Sequence, residues 1–543
     1  MTHSPSATAE LRAAARHLSR RRFLTVSGAA AALAFGTNLP STAHAAPSLD
    51  PHRITKDPFT LGVASGDPLP DSVVLWARLA PEPYEPDSGM PAARVTVEWE
   101  IAHDARFRWR VARGRATAYP EFHHAVHVDV RGLTPGRDYH YRFRVGRWTS
   151  PVGHTRTAPA ATATPDALRF GLLSCQAYHD GYYTALGHLA REQDLDAVFH
   201  LGDYLYEYAV TSAGGHRNYT DRALPALFDR ETVTLEDYRL RYSLYKTDPD
   251  LAAAHAAHAW IVTWDDHETE NNYANGIPEN GVPPEEFLLR RAAAYRAYYE
   301  NMPLRRPQRP QGPDLRLYRR LHYGRLAQFD VLDTRQYRDN QADGDGWKLP
   351  TPESEDPART MLGTAQERWL TDGWRQSRAL WNVVPQQVVF SRRRNRVDGP
   401  WPLSMDAWDG YPAARERVLA GAESAGVENL VVLTGDVHVH YGFDIKRDFD
   451  DPDSRTAGVE IVTTSVSSGR DGAAKPANWQ TLMTANPHLK YYNGQRGYVL
   501  LGLDREKLRA DYRTVPAVTT PGAPVTTAAS FVSPVGEPGL RPA

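Results

Sequence analysis

The sequence predicts an α/β fold, a mixed-sheet core preceded by a small all-β domain, and three observations carry that reading. From Leu168 onward, short apolar runs alternate with longer helical or irregular segments, the grammar of a sheet layered with helices. Before that point, residues 56–158 hold runs that alternate apolar and polar side chains at period two, as half-buried strands do. Between them, Ala158 to Pro165 is rich in Ala, Thr and Pro and reads as a linker. No period of about 20 to 50 residues repeats, which excludes a solenoid or propeller.

In chain order, the first segment is a leader rather than part of the fold. Ser19-Arg20-Arg21-Arg22-Phe23-Leu24 precedes a weakly apolar run from Val26 to Phe35, and Ala43-His44-Ala45 follows. A positive start, an apolar middle and a small-x-small cleavage site describe a secretory signal over residues 1–45. Paired arginines followed by Phe-Leu mark the twin-arginine route in particular. A short basic amphipathic helix is the plainer reading, and the cleavage site weighs against it. The expectation is a protein that engages the twin-arginine export machinery and is secreted, extracellular or cell-wall associated, with its mature start near Ala46. No later stretch reaches the roughly 20 apolar residues of a membrane span, so no transmembrane anchor is expected.

The all-β segment follows. Val73-Val74-Leu75-Trp76, Val95-Thr96-Val97-Glu98-Trp99-Glu100 and Ala125-Val126-His127-Val128-Asp129-Val130 each read as a strand. The turn Leu133-Thr134-Pro135 and the alternating run Tyr139-His140-Tyr141 after it resemble the late strands of fibronectin type III sandwiches, where a corner tyrosine pins the turn. That resemblance implies a fibronectin type III-like sandwich over residues 56–158.

The core, residues 166–513, is expected to carry strands at Leu168–Ser174, Ala197–Leu201, Ala259–Thr263, Leu326–Leu332, Val383–Phe390, Leu430–Leu433, Val459–Thr464 and Gly497–Leu503. Amphipathic helices are expected at Glu236–Tyr245, Pro249–Ala257 and Glu285–Tyr299. Residues 514–543 are rich in Pro, Thr and Val and read as a tail that lies over the core or stays loose.

Composition narrows the class. Of 543 residues, 41% are apolar and 24% charged, as in an ordinary globular protein, with a formal net charge of -2. Loss of residues 1–45 removes five arginines and one glutamate and takes the charge to -6. Neither value gives a field that draws nucleic acid, and no specific nucleic-acid site is expected. Cys175 is the single cysteine, so an exported form has no internal disulfide and rests on core burial and metal. Alone, such a cysteine is more often a buried apolar filler than a ligand.

What terminates the strands is the informative pattern. Leu172-Leu173-Ser174 runs into Cys175-Gln176, and Phe199-His200-Leu201 into Gly202-Asp203-Tyr204-Leu205-Tyr206-Glu207. Val262-Thr263-Trp264 runs into Asp265-Asp266-His267-Glu268, with Asn271-Asn272 beyond, and Val432-Leu433-Thr434 into Gly435-Asp436-Val437-His438-Val439-His440. Metal-ligating side chains thus recur at the carboxyl ends of four strands, where α/β sheets build their sites. Each alone has a bland reading: Gly-Asp as a turn, the Asp436-His438-His440 alternation as one solvated face of a strand, Asp-Asp-His-Glu as a charged loop. Four with the same placement are harder to explain separately.

The order of these blocks resembles the calcineurin-like metallophosphoesterases, with departures. Cys175 stands where the first Asp of that pattern falls, Asp266-His267-Glu268 where Asn-His-Glu falls, and Asp436-Val437-His438 where His-x-His falls. Tyr206 is similar to the tyrosine that binds ferric iron in purple acid phosphatases. That set resembles the PhoD-like family of alkaline phosphatases and phosphodiesterases through nearly all of the mature chain, including Gly62-Val63-Ala64-Ser65-Gly66-Asp67-Pro68. The resemblance implies a calcineurin-like mixed-sheet sandwich and a secreted phosphoesterase acting on phosphate mono- and diesters. It implies Fe3+ on Cys175, Asp203, Tyr206 and His438. It implies Ca2+ sharing Asp203 and taking Asp436 with Asp266 or an asparagine, Asn271 or Asn272. Thiolate and phenolate suit a high-valent transition metal, and carboxylate and amide oxygens suit calcium.

The implied reaction is attack of a metal-bound hydroxide on phosphorus. His267 is placed to protonate the leaving alkoxide or orient the nucleophile, and reads nearly as well as a histidine that holds a carboxylate. Arg335, just past a strand in Asp333-Thr334-Arg335, has the planar fork to grip a phosphate oxygen, or makes a surface salt bridge. His255 and His258 read as packing or supporting groups. Three alternatives remain at this level. A phospholipase D of the same metal-dependent family would take phospholipid head groups, and a secreted binding protein would use the β-domain for adhesion. A zinc hydrolase fits this carboxylate-rich set poorly.

Overall fold

The computed structural model describes residues 47–211, 217 and 224–543. The leader expected over residues 1–45 lies outside the described residues. The chain divides into two compact units, and the division is not the linear one expected. Met1–Thr157, Glu207–Trp260 and Asn280–Arg316 form the first; Ala158–Tyr206, Ile261–Glu279 and Leu317–Ala543 form the second.

In the first unit, strands Val63–Leu69, Ser72–Arg78 and Ala125–Arg131 pair antiparallel in that order. A second sheet runs Arg110–Ala118, Val95–Ala102, Asp138–Val145, Trp148–Thr149, with Gly153–Arg156 also on Asp138–Val145. The inward halves of the alternating strands meet in one core: Val73, Leu75, Val126 and Val128 from one sheet, Val95, Val97, Tyr139 and Phe143 from the other. Tyr139 Oη accepts a hydrogen bond from Thr134 N at 2.8 Å, pinning the turn before its strand.

Helices Leu235–Lys246, Pro249–Ala257 and Pro284–Asn301 belong to this unit, although the sequence reading assigns them to the core domain. The reason lies in Ser72–Arg78, which is buried at every position and so needs cover on its outer face. Trp76 Nε1 donates to Glu300 O and Arg78 Nη1 to Asn301 Oδ1, both at 2.9 Å. The end of the third helix thereby satisfies polar groups that would otherwise be buried unpaired.

The second unit is a mixed α/β arrangement of two sheets. In one, Ala197–Leu201 lies parallel to Ala167–Leu173, which pairs antiparallel with Arg496–Asp504 and then outward through Lys507–Val515, Thr526–Pro534 and Arg541–Pro542. In the other, Ala327–Val331, Trp381–Pro385, Leu430–Thr434 and Thr456–Val462 are parallel neighbours, edged by Arg319–Tyr323 on one side and His440–Lys446 and Leu489–Asn493 on the other. Phe329 of the second sheet packs on Phe170 and Phe199 of the first, at centroid distances of 4.8 and 4.9 Å.

Two segments differ from expectation. Residues 514–543 are not loose: Thr526–Pro534 and Arg541–Pro542 extend the first of these sheets. The strand expected over Val383–Phe390 stops at Pro385. Beyond it the Gln387 side chain replaces the ladder, accepting from Thr334 N and Oγ1 and donating to Thr263 Oγ1.

Candidate metal centre

Three of the second unit's loops leave their strands through left-handed backbone. Cys175 (φ 59°), Asp203 (56°), Asp436 (65°) and His438 (57°) are all left-handed, a conformation that non-glycine residues adopt at a cost. At Gly202 (φ 105°) a Cβ would lie 2.4 Å from Asp265 N, so only glycine lets these loops touch. The Glu268 carboxylate then ties them together. It accepts from Asp203 N at 3.0 Å, Tyr204 N at 2.6 Å and Asp265 N at 2.8 Å.

The loops bring three ligand groups together: Cys175, Asp203 and His438; Asp203, Asp266 and His267; Asp265, Asp266 and Asp436. Within each group the potential ligand atoms lie within 4.8 Å of one another. Asp203 belongs to two groups and Asp266 to two, so the cluster is continuous. Tyr206 joins the first, its hydroxyl donating to Asp203 Oδ2 at 2.9 Å and lying 3.0 Å from His438 Nε2. The His267 ring lies 4.1 Å from the Tyr206 ring, centroid to centroid.

Electrostatically the cluster is built for a cation. Burial and the neighbouring carboxylates hold Asp203 and Asp436 well above the usual carboxylate range, and burial pushes Asp265 up to about 7. Burial also raises Asp266, but Arg335 and His267 outweigh it and hold that group below its ordinary value. Burial and Asp203 raise the Cys175 thiol and the Tyr206 phenol, and burial lowers His438 to about 3. Three buried carboxylate oxygens, Asp203 Oδ1, Asp265 Oδ2 and Asp266 Oδ1, have no hydrogen-bond partner among the described residues. Buried anionic oxygens are otherwise almost always paired, so the donor set fits a bound metal.

Arg335 corrects the sequence reading. It is neither on the surface nor turned to open space, but fully buried among carboxylates. Its Nε donates to Asp265, and its Nη1 to both oxygens of Asp406 at 2.9 Å. Its Nη2 lies 3.3 Å from Asp266 and 3.6 Å from Asp436. Asp406 also accepts from Arg338 Nη2 at 2.6 Å and Gln341 Nε2 at 2.9 Å.

The Asn271 amide nitrogen donates to Glu279 Oε2 at 2.8 Å and that of Asn272 to Asp345 at 2.6 Å, while Asp266 lies in two of the ligand groups. One further expectation is corrected. Asp436, His438 and His440 do not share a strand face, because the strand ends at Thr434 and left-handed turns intervene. His440 instead accepts from Thr464 N at 3.1 Å. Sequence reasoning passed over Asp265 as a ligand and Asp406 altogether. A doubled Asp after a strand was a signal for the first; nothing local marks the second.

Two family models match the chain: "PhoD-like phosphatase" over residues 170–512 and "PhoD-like phosphatase, N-terminal domain" over residues 43–159. A curated relative, alkaline phosphatase D of Bacillus subtilis (strain 168), is 48% identical over 526 residues, covering 96% of this chain and 88% of the relative. A solved structure described as "Structure of PhoD" superposes with a TM-score of 0.86 at 50% identity, covering 90% of this chain and 93% of that one.

Proposed function

The chain belongs to the PhoD-like phosphatase family, and from that premise we propose that it hydrolyses phosphate mono- and diesters outside the cell at a centre of one ferric ion and calcium. The observation that carries the proposal is the continuous cluster sharing Asp203 and Asp266, with three carboxylate oxygens that have no hydrogen-bond partner among the described residues. Cys175, Tyr206 and His438 offer sulfur, phenol oxygen and nitrogen beside Asp203, a set suited to ferric iron. Asp266 and Asp436, with Asp203 shared, offer hard oxygens suited to calcium. When bound, such metals supply the positive charge that activates a water and neutralises charge growing on the phosphate oxygens.

The chain's own residues set the rest. Asp203 fixes the two sites relative to each other, and Glu268 fixes Asp203 through its backbone N–H. Arg335 acts as a positioning residue: it is the fixed cation that keeps Asp265, Asp266 and Asp436 close together, and Asp406 aims it. His267, beside Tyr206 and 9% exposed, is the group that gives a proton to the leaving alkoxide. The N-terminal sheets are read as a fibronectin type III-like sandwich, supported by their strand order and the Thr134–Tyr139 bond. Residues 1–45 are read as the twin-arginine leader that exports the enzyme.

Carboxylate oxygens exchange calcium readily, whereas thiolate and phenolate retain iron. A calcium-selective chelator is therefore expected to abolish phosphate release from p-nitrophenyl phosphate with iron still bound, and added calcium to restore it. Full turnover in the chelator would remove calcium from the proposal.

A further inference from the structure

Large apolar side chains left in water are individually unremarkable, but a group of them beside a reaction centre marks a place where something apolar sits. In the second unit Trp347 (41% exposed) and Leu349 (46%), two residues apart in the chain, are two such side chains. Trp347–Lys348 pairs antiparallel with Leu403–Ser404 in a two-stranded ribbon, and Leu349 follows the first of these strands directly. The Arg393 guanidinium lies over the Trp347 ring at 5.0 Å, and that of Arg394 over Trp401 at 4.0 Å. Trp401, two residues before the second ribbon strand, donates from Nε1 to Val397 O at 3.2 Å.

Both strands of the ribbon run into the candidate metal centre. Asp345, two residues before Trp347, accepts from the Asn272 amide at 2.6 Å, and Asn272 N donates to Asp266 at 2.7 Å. Asp406, two residues after Ser404, holds Arg335. The exposed aromatic surface is thus fastened by short hydrogen-bonded paths to residues beside the reacting phosphate of the proposed function, on which this inference rests.

We infer that the ribbon is a specificity surface for the alcohol portion of the substrate. It takes a phosphate diester whose alcohol presents apolar surface, and that surface packs on Trp347 and Leu349. Arg393, whose guanidinium has no carboxylate partner among the described residues, adds a cation that faces the anionic part of the same molecule. A small polar ester has nothing to place there.

The test compares steady-state kinetics of the full-length, metal-loaded wild type, Trp347→Ala, Trp347→Phe and Leu349→Ala. Three substrates serve: glycerol phosphate, bis(p-nitrophenyl) phosphate and a short-chain phosphatidylcholine. Trp347→Ala is expected to raise KM for at least one apolar diester about tenfold, leaving kcat, metal content and glycerol phosphate kinetics unchanged. Trp347→Phe should recover most of the loss, and Leu349→Ala should repeat it in smaller degree. A response confined to the aryl diester or to the phospholipid identifies which apolar alcohol the ribbon serves. Unchanged KM for both diesters in Trp347→Ala and Leu349→Ala overturns the inference while leaving the phosphoesterase assignment intact. That assignment fails separately if the loaded wild type hydrolyses none of the three.

Discussion

Asp203→Asn is expected to lower phosphate-ester turnover by roughly 10³-fold or more, about 4 kcal/mol of transition-state stabilisation. It should also deplete both metals rather than one. The reasoning is geometric: Asp203 is the carboxylate common to the sulfur-containing group and the group with His267. Its Oδ2 accepts from Tyr206, while Oδ1 has no hydrogen-bond partner among the described residues. An amide keeps the size but gives up the negative charge that both cations share. The metal-free protein should respond in the opposite sense. Burial and nearby carboxylates already oppose the Asp203 charge, so the variant without metal should unfold at a slightly higher temperature than wild type without metal. Turnover within tenfold of wild type, with both metals retained, would contradict the shared role.

The largest loss of stability is expected away from the proposed ligands, at Asp406→Asn. Asp406 accepts two hydrogen bonds from Arg335 Nη1, one from Arg338 and one from Gln341, and both arginines are fully buried. Removing the carboxylate leaves two guanidiniums buried with a partner gone, which typically costs about 3–5 kcal/mol. Asp450→Asn is the control. Asp450 also meets two arginines, Arg392 and Arg394, but its side chain is 60% exposed, and water replaces what is lost, so less than about 1 kcal/mol is expected. Denaturant unfolding of the two variants beside wild type measures both values; similar small losses would contradict the buried network.

The cluster was largely legible in the sequence because each of its loops leaves an apolar run that is hard to misread. Cys175, Asp203, Asp266 and Asp436 all follow such runs, and the structure brings them into one place with Tyr206, His267 and His438. What was not legible depends on burial and on contacts distant in sequence. Arg335 looks like an outward fork because nothing in Asp333-Thr334-Arg335 says that Asp406 and Asp265 enclose it. Asp406 follows a two-residue ribbon strand rather than a core strand, so it carries no positional mark. The alternation of Asp436, His438 and His440 misleads because periodicity presumes extended backbone, and two of these residues are left-handed. The helices from 235 to 301 read correctly as helices, yet their unit membership follows from the fully buried strand Ser72–Arg78, which alternation describes as half-exposed.

The central claim, that these residues hold an iron-containing centre for phosphate-ester hydrolysis, is tested most directly by one comparison. Iron content, visible spectrum and phosphate release are measured on identically prepared wild type, Tyr206→Phe and Cys175→Ser. Charge transfer from thiolate and phenolate to ferric iron predicts a coloured wild type, and Tyr206→Phe should stay folded while its band shifts or fades. Cys175→Ser replaces the thiolate with a much weaker anionic donor and should retain less iron and lose turnover. A colourless, iron-free wild type with full activity, or variants with unchanged colour and turnover, would contradict the account.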